Sequence, residues 1–345
     1  MRANAETILA HLPKGHGVKL FAVVKADGYG HGAVQVGRAA LHGGAWGLAV
    51  ATLEEAQQLN GLVPADRVLV MGGLTARDAP AAAASGCSIT VSSLEVAKAL
   101  SDHDVVVPVH LKIDTGMGRF GCSPADAPAI AKFIDETPSL LLAGTSTHFA
   151  SADSDEALTR KQFDRFIDAL ARFEVDPGLR HACNSAAARR YPEFALDAVR
   201  AGIALYGCEW PGTKPAMSLR SVVTHVKTVG VGDTVGYGAT WRAVARTQVA
   251  TITIGYADGV SRARSNRGHV LIRGHRAPLI GVVSMDAITV DASNVPGLQV
   301  GDMVTVIGED KGDRITAEEV AEWSNTISWD VLTSIGPRVQ RRYSE

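Results

Sequence analysis

The first two-thirds of this 345-residue chain alternates short apolar, β-branched runs with longer amphipathic stretches, and few architectures accept that rhythm. Candidate strands fall at 19–24, 46–50, 67–71, 88–91, 106–113, 140–147, 180–183 and 199–203. Patterns of helical period at 32–41, 53–59, 94–100, 124–134 and 156–173 lie between them. Repeated strand–helix–strand units set parallel strands side by side through right-handed crossovers, and eight of them predict a closed β/α barrel of the TIM type. After about Pro211 the texture changes to short alternating runs with glycine turns, at 222–229, 248–254, 269–272, 287–290 and 303–307, with one helix at 317–324. The chain also exceeds the length at which a single hydrophobic core stops growing. The expected fold class is α/β, an eight-stranded barrel over residues 1–212 followed by a mainly β C-terminal domain over residues 213–345.

A barrel has a chemical polarity, because active sites sit at the C-terminal strand ends and phosphate commonly binds in the loops after strands seven and eight. The first strand ends Ala22-Val23-Val24-Lys25 and breaks at once into Ala26-Asp27-Gly28-Tyr29-Gly30-His31-Gly32. A lysine that loses solvation at a buried strand end becomes a candidate Schiff-base amine, although position alone fits an ordinary surfacing lysine as well. The seventh strand leads into Asn184-Ser185, a polar pair opening a helix whose free amides suit an anion. The eighth leads through Arg200-Ala201-Gly202-Ile203, where a glycine lets the backbone approach a ligand. Helix capping and close packing explain either loop alone, whereas both at the expected positions point to a phosphorylated cofactor. Lys112 and Arg119 follow strand five and His148 closes strand six, so several cations and two anion-binding loops converge on one barrel mouth.

Composition narrows the partner. A formal net charge of −2 without a Lys/Arg block argues against nucleic acid or an anionic membrane surface, which leaves a small-molecule substrate. Cys87, Cys122, Cys183 and Cys208 are scattered, so neither a zinc site nor a disulfide framework is signalled. No apolar run is long enough to span a bilayer and the first residues lack an export signal, so a cytoplasmic enzyme without a metal is expected. One competing motif is Gly116-Met117-Gly118-Arg119-Phe120-Gly121, which matches G-x-G-x-x-G after a strand and offers an NAD-dependent oxidoreductase as the alternative. Against it, the motif follows the fifth strand and carries a bulky arginine inside the turn.

The segment Ala22 to Gly32 resembles the pyridoxal-phosphate lysine motif of bacterial alanine racemases. So do Asp114-Thr115-Gly116-Met117-Gly118-Arg119, His148-Phe149-Ala150, Asn184-Ser185, Arg200 through Gly207, Gly236-Tyr237-Gly238-Ala239-Thr240, Gly255-Tyr256-Ala257-Asp258-Gly259 and Ser284-Met285-Asp286. The resemblance runs in order along nearly the whole chain. It implies a pyridoxal 5'-phosphate enzyme of fold type III that interconverts L-alanine and D-alanine, supplying D-alanine for peptidoglycan. Lys25 would hold the cofactor covalently and act as one base, and the partner subunit's Tyr237 would be the other. Two bases are the natural arrangement, since racemisation removes a proton from one face of Cα and returns one to the opposite face.

The same resemblance assigns Tyr29, His148, Asn184, Ser185, Gly202 and Ile203 to the cofactor, with Arg200 facing its ring nitrogen and His181 orienting Arg200. An always-charged guanidinium leaves that nitrogen unprotonated and the ring a weaker electron sink, which favours quick reprotonation. Arg119 would lie near the cofactor's phenolic oxygen and the substrate, and Lys112 stands where relatives carry a carbamylated lysine. Met285 and Asp286, with Tyr256 at the entrance, would recognise substrate from the second subunit, so an active homodimer with shared sites is expected.

Three departures from the family pattern stand out. Relatives begin with an extra strand, joined to the C-terminal domain, before the segment matching Ala3-Asn4-Ala5, so a less stable second domain is expected here. Pro337 replaces a tyrosine of the substrate pocket, and Val282 replaces an arginine of the entrance corridor. The first keeps a serine or broad-specificity racemase as an alternative. A non-catalytic pyridoxal-phosphate carrier lacks a second domain, and Tyr237 speaks against it.

Overall fold

The computed structural model describes residues 1–14 and 17–344, which divide into two compact units. The first comprises residues 1–28 and 32–214, and the second residues 29–31 and 215–345.

The first unit holds eight parallel strands: β1 Lys19–Val23, β2 Gly47–Val50, β3 Val68–Val70, β4 Ser88–Val91, β5 Val107–Lys112, β6 Leu140–Ser146, β7 Leu179–His181 and β8 Ala198–Ala201. Their spatial order is β7-β6-β5-β4-β3-β2-β1-β8, so β7 and β8 meet at the seam of a nearly closed barrel. Regular pairing is absent there. Asp197 N–H donates to Arg180 O and Arg200 N–H to Cys183 O, both at 3.0 Å, and the Arg180 guanidinium grips the Asp197 carboxylate at 2.7 and 2.9 Å. Strands such as Gly47–Val50 and Ser88–Val91 are buried throughout, as expected of parallel strands covered on both faces.

The covering helices start where side chains satisfy free amides. Ser93 Oγ accepts from Val96 N–H ahead of Leu94–Ser101, and Asp155 accepts from Leu158 N–H ahead of Glu156–Leu170. A helix at Arg2–His11, unanticipated in the sequence, precedes β1. The eighth strand stops at Ala201 rather than 203, because Gly202 turns the backbone into the tight helical turn Ile203–Tyr206.

The second unit is a mainly antiparallel sheet built from β9 Leu219–Val229, β12 Thr247–Ile252, β13 His269–Ile272, β14 His275–Pro278, β15 Ile288–Asp291, β16 Met303–Asp310 and β17 Asp313–Ile315. A two-stranded ribbon, β10 Thr234–Val235 and β11 Trp241–Arg242, stands apart from it. Two helices accompany the sheet, Ala317–Ser324 and Ser328–Thr333, where one was expected.

Candidate active site

Pairing of β1 with β8 sets Phe21 beside Arg200 and Ala22 beside Ala201, and Lys25 lies two residues beyond the end of β1. The lysine is half-buried. Burial, then the positive charge of Arg119, pull its ammonium below the ordinary 10.5, and the Glu55 carboxylate opposes them. A depressed pKa enlarges the fraction of neutral, nucleophilic amine.

After Lys25 the chain takes a left-handed turn, with φ of 52°, 51°, 60° and 50° at Ala26, Asp27, Gly28 and Tyr29. Such backbone costs roughly 1–2 kcal/mol at each non-glycine residue, so it needs bracing. Glu55 supplies it, accepting from Ala26 N–H and Ala51 N–H at 2.7 Å each, while Asp27 accepts from Ala33 N–H at 2.9 Å. Tyr29 is buried, which pushes its phenol up to about 12.

Arg200 is the electrostatic centre of the barrel mouth. Nη1 donates to His181 Nδ1 at 2.5 Å and to His181 O at 2.9 Å, while Nη2 donates to Thr147 O at 2.7 Å and Ala182 O at 3.0 Å, with His148 Nδ1 at 3.3 Å. Burial lowers its pKa to about 10, and no carboxylate pairs with it among the described residues. Both histidines stay neutral, since burial and neighbouring cations hold them well below the usual 6.5. Gln162 braces the His148 loop, accepting from Ala150 N–H at 2.9 Å and donating to His148 O at 3.3 Å.

The remaining barrel residues fall as follows. Asn184 Oδ1 accepts from Ala187 N–H at 3.0 Å, so that oxygen caps the helix Ser185–Arg190. Ser185 Oγ accepts from Gly202 N–H at 3.0 Å and Ala204 N–H at 3.4 Å, tying the loops after β7 and β8 together beside buried Ile203. Arg119 is exposed, over the Phe120 ring at 5.6 Å.

The glycine motif at 116–121 is not a dinucleotide fingerprint. Three of its amides, those of Gly116, Met117 and Gly118, donate to the Asp114 carboxylate at 2.9, 2.8 and 2.9 Å, and the next helix after the motif begins only at Ala127. A pyrophosphate would find neither free amides nor a helix N-terminus, which removes the oxidoreductase reading.

In the second unit, Tyr237, Tyr256, Met285 and Asp286 form one connected, exposed platform. Tyr256 N–H donates to Ser284 O at 3.0 Å and Ala257 N–H to Met285 O at 3.1 Å. Arg338 joins the two loops, reaching Asp258 at 2.9 Å and Asp286 at 2.8 Å. Tyr237 is 72% exposed on a short turn whose Gly236 packs against Gly281 and Val282, the segment leading to Met285. A tyrosine, a second tyrosine and a methionine left open together are unusual on a finished surface.

Residues 1–209 match the profile of the alanine racemase N-terminal domain, and residues 216–343 that of the C-terminal domain. The chain belongs to the alanine racemase family. Among curated members, the alanine racemase of Sorangium cellulosum is 40% identical over 370 residues, covering 100% of this chain and 97% of that protein. Among solved structures, alanine racemase from E. faecalis superposes with a TM-score of 0.92 at 35% identity, covering 99% of this chain and 95% of that one. Alanine racemase from Bartonella henselae, described with covalently bound pyridoxal phosphate, superposes with a TM-score of 0.90 at 30% identity, covering 99% and 96%.

Three residues hydrogen-bonded around this barrel mouth were not singled out in the sequence: Glu55, Gln162 and His110, the last with Nδ1 2.8 Å from His181 Nε2. Glu55 was within reach, because Thr52-Leu53-Glu54-Glu55 is a capping-box pattern, and the capping box is present. Nothing local marks the other two. Among the described residues no cluster of three or more His, Cys, Asp or Glu could hold a metal, and no helix is long and apolar enough to cross a membrane.

Proposed function

We propose that this chain interconverts L- and D-alanine using pyridoxal phosphate at the barrel mouth, with Lys25 and the partner subunit's Tyr237 as the two bases. The observation that carries the reading is the pairing of a half-buried lysine of depressed pKa with a buried guanidinium that has no carboxylate partner among the described residues. The donor set fits the cofactor. Nη1 and Nη2 of Arg200 are taken up by protein acceptors, whereas Nε has none among the described residues and suits a bare pyridine nitrogen. When bound, pyridoxal phosphate supplies an electron sink that acidifies the substrate's Cα–H.

Lys25 Nζ takes or returns the proton on one face of Cα, and the phenolic oxygen of the partner subunit's Tyr237 serves the other. His148 would lie against the cofactor ring. Tyr29, Asn184, Ser185, Gly202 and Ile203 would hold its phosphate, and Arg119 would anchor its phenolic oxygen and the substrate. Lys112 is held well below the usual lysine range by burial, then by Arg200 and Arg119. Its neutral amine can add carbon dioxide and release a proton, giving an anionic carbamate to position Arg119.

Met285 and Asp286, with Tyr256 at the entrance, recognise substrate from the second chain, so the active form is a homodimer. The exposure of Tyr237 supports that reading. The D-alanine made would supply peptidoglycan synthesis from the cytoplasm. Pro337 adjoins Arg338, which grips the substrate-recognition loop, and offers no hydroxyl there, so serine is the substrate to compare with alanine.

Borohydride reduction of the holoenzyme tests the central assignment. The cofactor carbon becomes fixed to Lys25 Nζ, and peptide mapping finds the added mass at that residue alone. An unlabelled chain, or a label on another lysine, overturns the reading.

A further inference from the structure

Behind Arg200 and His181 lies a third buried group that the family reading leaves without a role. His110, on β5, is 1% exposed, and its Nδ1 is 2.8 Å from His181 Nε2. The ring has a built seat. A Cβ on Gly144 of the neighbouring β6 would lie 2.5 Å from His110 Nδ1, so only glycine leaves room for it. The β5–β6 register shifts between Val109 and His110, which sets the ring where it lies. Phe21 packs edge-on against His110 at 6.1 Å and tilted on His181 at 5.7 Å.

Hydrogen-bond logic then assigns every proton in the chain. A guanidinium only donates, so His181 Nδ1, at 2.5 Å from Arg200 Nη1, is the bare nitrogen. A neutral imidazole carries one N–H, which puts the His181 proton on Nε2. That proton has one acceptor, His110 Nδ1, which must also be bare, leaving the His110 proton on its own Nε2. A proton on His110 Nδ1 would set two donors face to face. Relief would require His181 to move its proton to Nδ1, against the guanidinium. Burial and the Arg200 charge keep His110 neutral, down to about 3.

We propose that His110 is a positioning residue for the racemase reaction, holding His181 in the one tautomer that accepts from Arg200 and so aiming Arg200 at the cofactor ring. The assignment rests on the reading of Arg200 above. Its test begins with the ring-nitrogen NMR spectrum of histidine-labelled wild-type holoenzyme. The expected result is a proton on Nε2 of both His181 and His110, and a proton on Nδ1 of either overturns the proposal.

Two variants extend the test. His110→Phe keeps a ring but removes the acceptor, whereas His110→Asn restores an acceptor oxygen near the Nδ1 position. In His110→Phe the His181 signal moves toward a mixture of tautomers, the cofactor absorption band shifts, and kcat falls by about tenfold or more with KM changed less than about twofold. His110→Asn recovers the His181 tautomer, the band and most of kcat. An unchanged His181 signal and band in a folded His110→Phe enzyme refute the role, as does an Asn variant no better than Phe. Failure of the alanine reading shows separately, as the absence of borohydride labelling at Lys25 in the wild type.

Discussion

At the scale of single residues, the barrel mouth is a problem of keeping cations close without pairing them. Burial first, then Arg119 at Lys25 and Arg200 and Arg119 at Lys112, shifts two lysines toward the neutral amine. Only Glu55 is identified as opposing the shift at Lys25. Attachment of pyridoxal phosphate to the apoenzyme requires the unprotonated amine, so its rate rises with pH and reaches half-maximum below the ordinary lysine value of 10.5. Glu55→Gln removes the carboxylate that favours the ammonium and moves the midpoint further down. Stopped-flow absorbance across pH measures both, and a Glu55→Gln midpoint above that of the wild type contradicts the electrostatic account. Lys25, Arg200 and His148 could be singled out in the sequence because each stands within two residues of the end of a barrel strand. His110 and Gln162 were not, because their partners lie 71 and 14 residues away in the chain.

At the scale of elements, the turn after β1 does the most demanding work. The glycines at 28, 30 and 32 announced a turn, but left-handed backbone at Ala26, Asp27 and Tyr29 has no local signature, since those residues disfavour it. It is imposed by backbone N–H groups donating to the Glu55 and Asp27 carboxylates. Gly30 has φ +76°, and a Cβ there would lie 2.4 Å from Leu332 O. Arg341 Nε donates to Gly30 O at 3.1 Å and its other nitrogens to Ile335, Gly336 and Val339 carbonyls, so this stretch of backbone is pinned. Gly30→Ala therefore lowers stability by at least ~2 kcal/mol, combining a left-handed alanine with a backbone overlap. Urea unfolding reads the loss, and an unchanged midpoint means the backbone can yield there. The bounds of the barrel strands were read to within two residues, as where β8 ends early because Gly202 turns the backbone, whereas β10, β11, β14 and β17 of the second unit were not anticipated.

At the scale of the whole molecule, the proposed reaction divides catalysis between two chains. In that proposal the bases serving opposite faces of Cα belong to different units, Lys25 to the barrel and Tyr237 to the β-rich unit. If the partner supplies the phenol, Lys25→Ala and Tyr237→Phe homodimers are each inactive or nearly so. Mixed and allowed to exchange, they form heterodimers with one intact site, and alanine racemisation returns to about a quarter of the wild-type rate for random pairing of equal amounts. Native mass spectrometry confirms exchange. Exchange without recovered activity shows that each chain completes its own site.

The strand–helix rhythm and the residues at strand ends were present in the amino-acid order, because hydrophobic period and barrel polarity are local rules applied eight times. The same order singled out Tyr237, Tyr256 and Met285 only through the family resemblance, and it is the folded unit that exposes them together. The proton arrangement through Arg200, His181 and His110, the seating of a ring against Gly144, and the capture of the 116–118 amides by Asp114 belong to three dimensions alone. Hydrogen bonds are decided within a few tenths of an ångström, and distances on that scale emerge only once non-local strands have come into register.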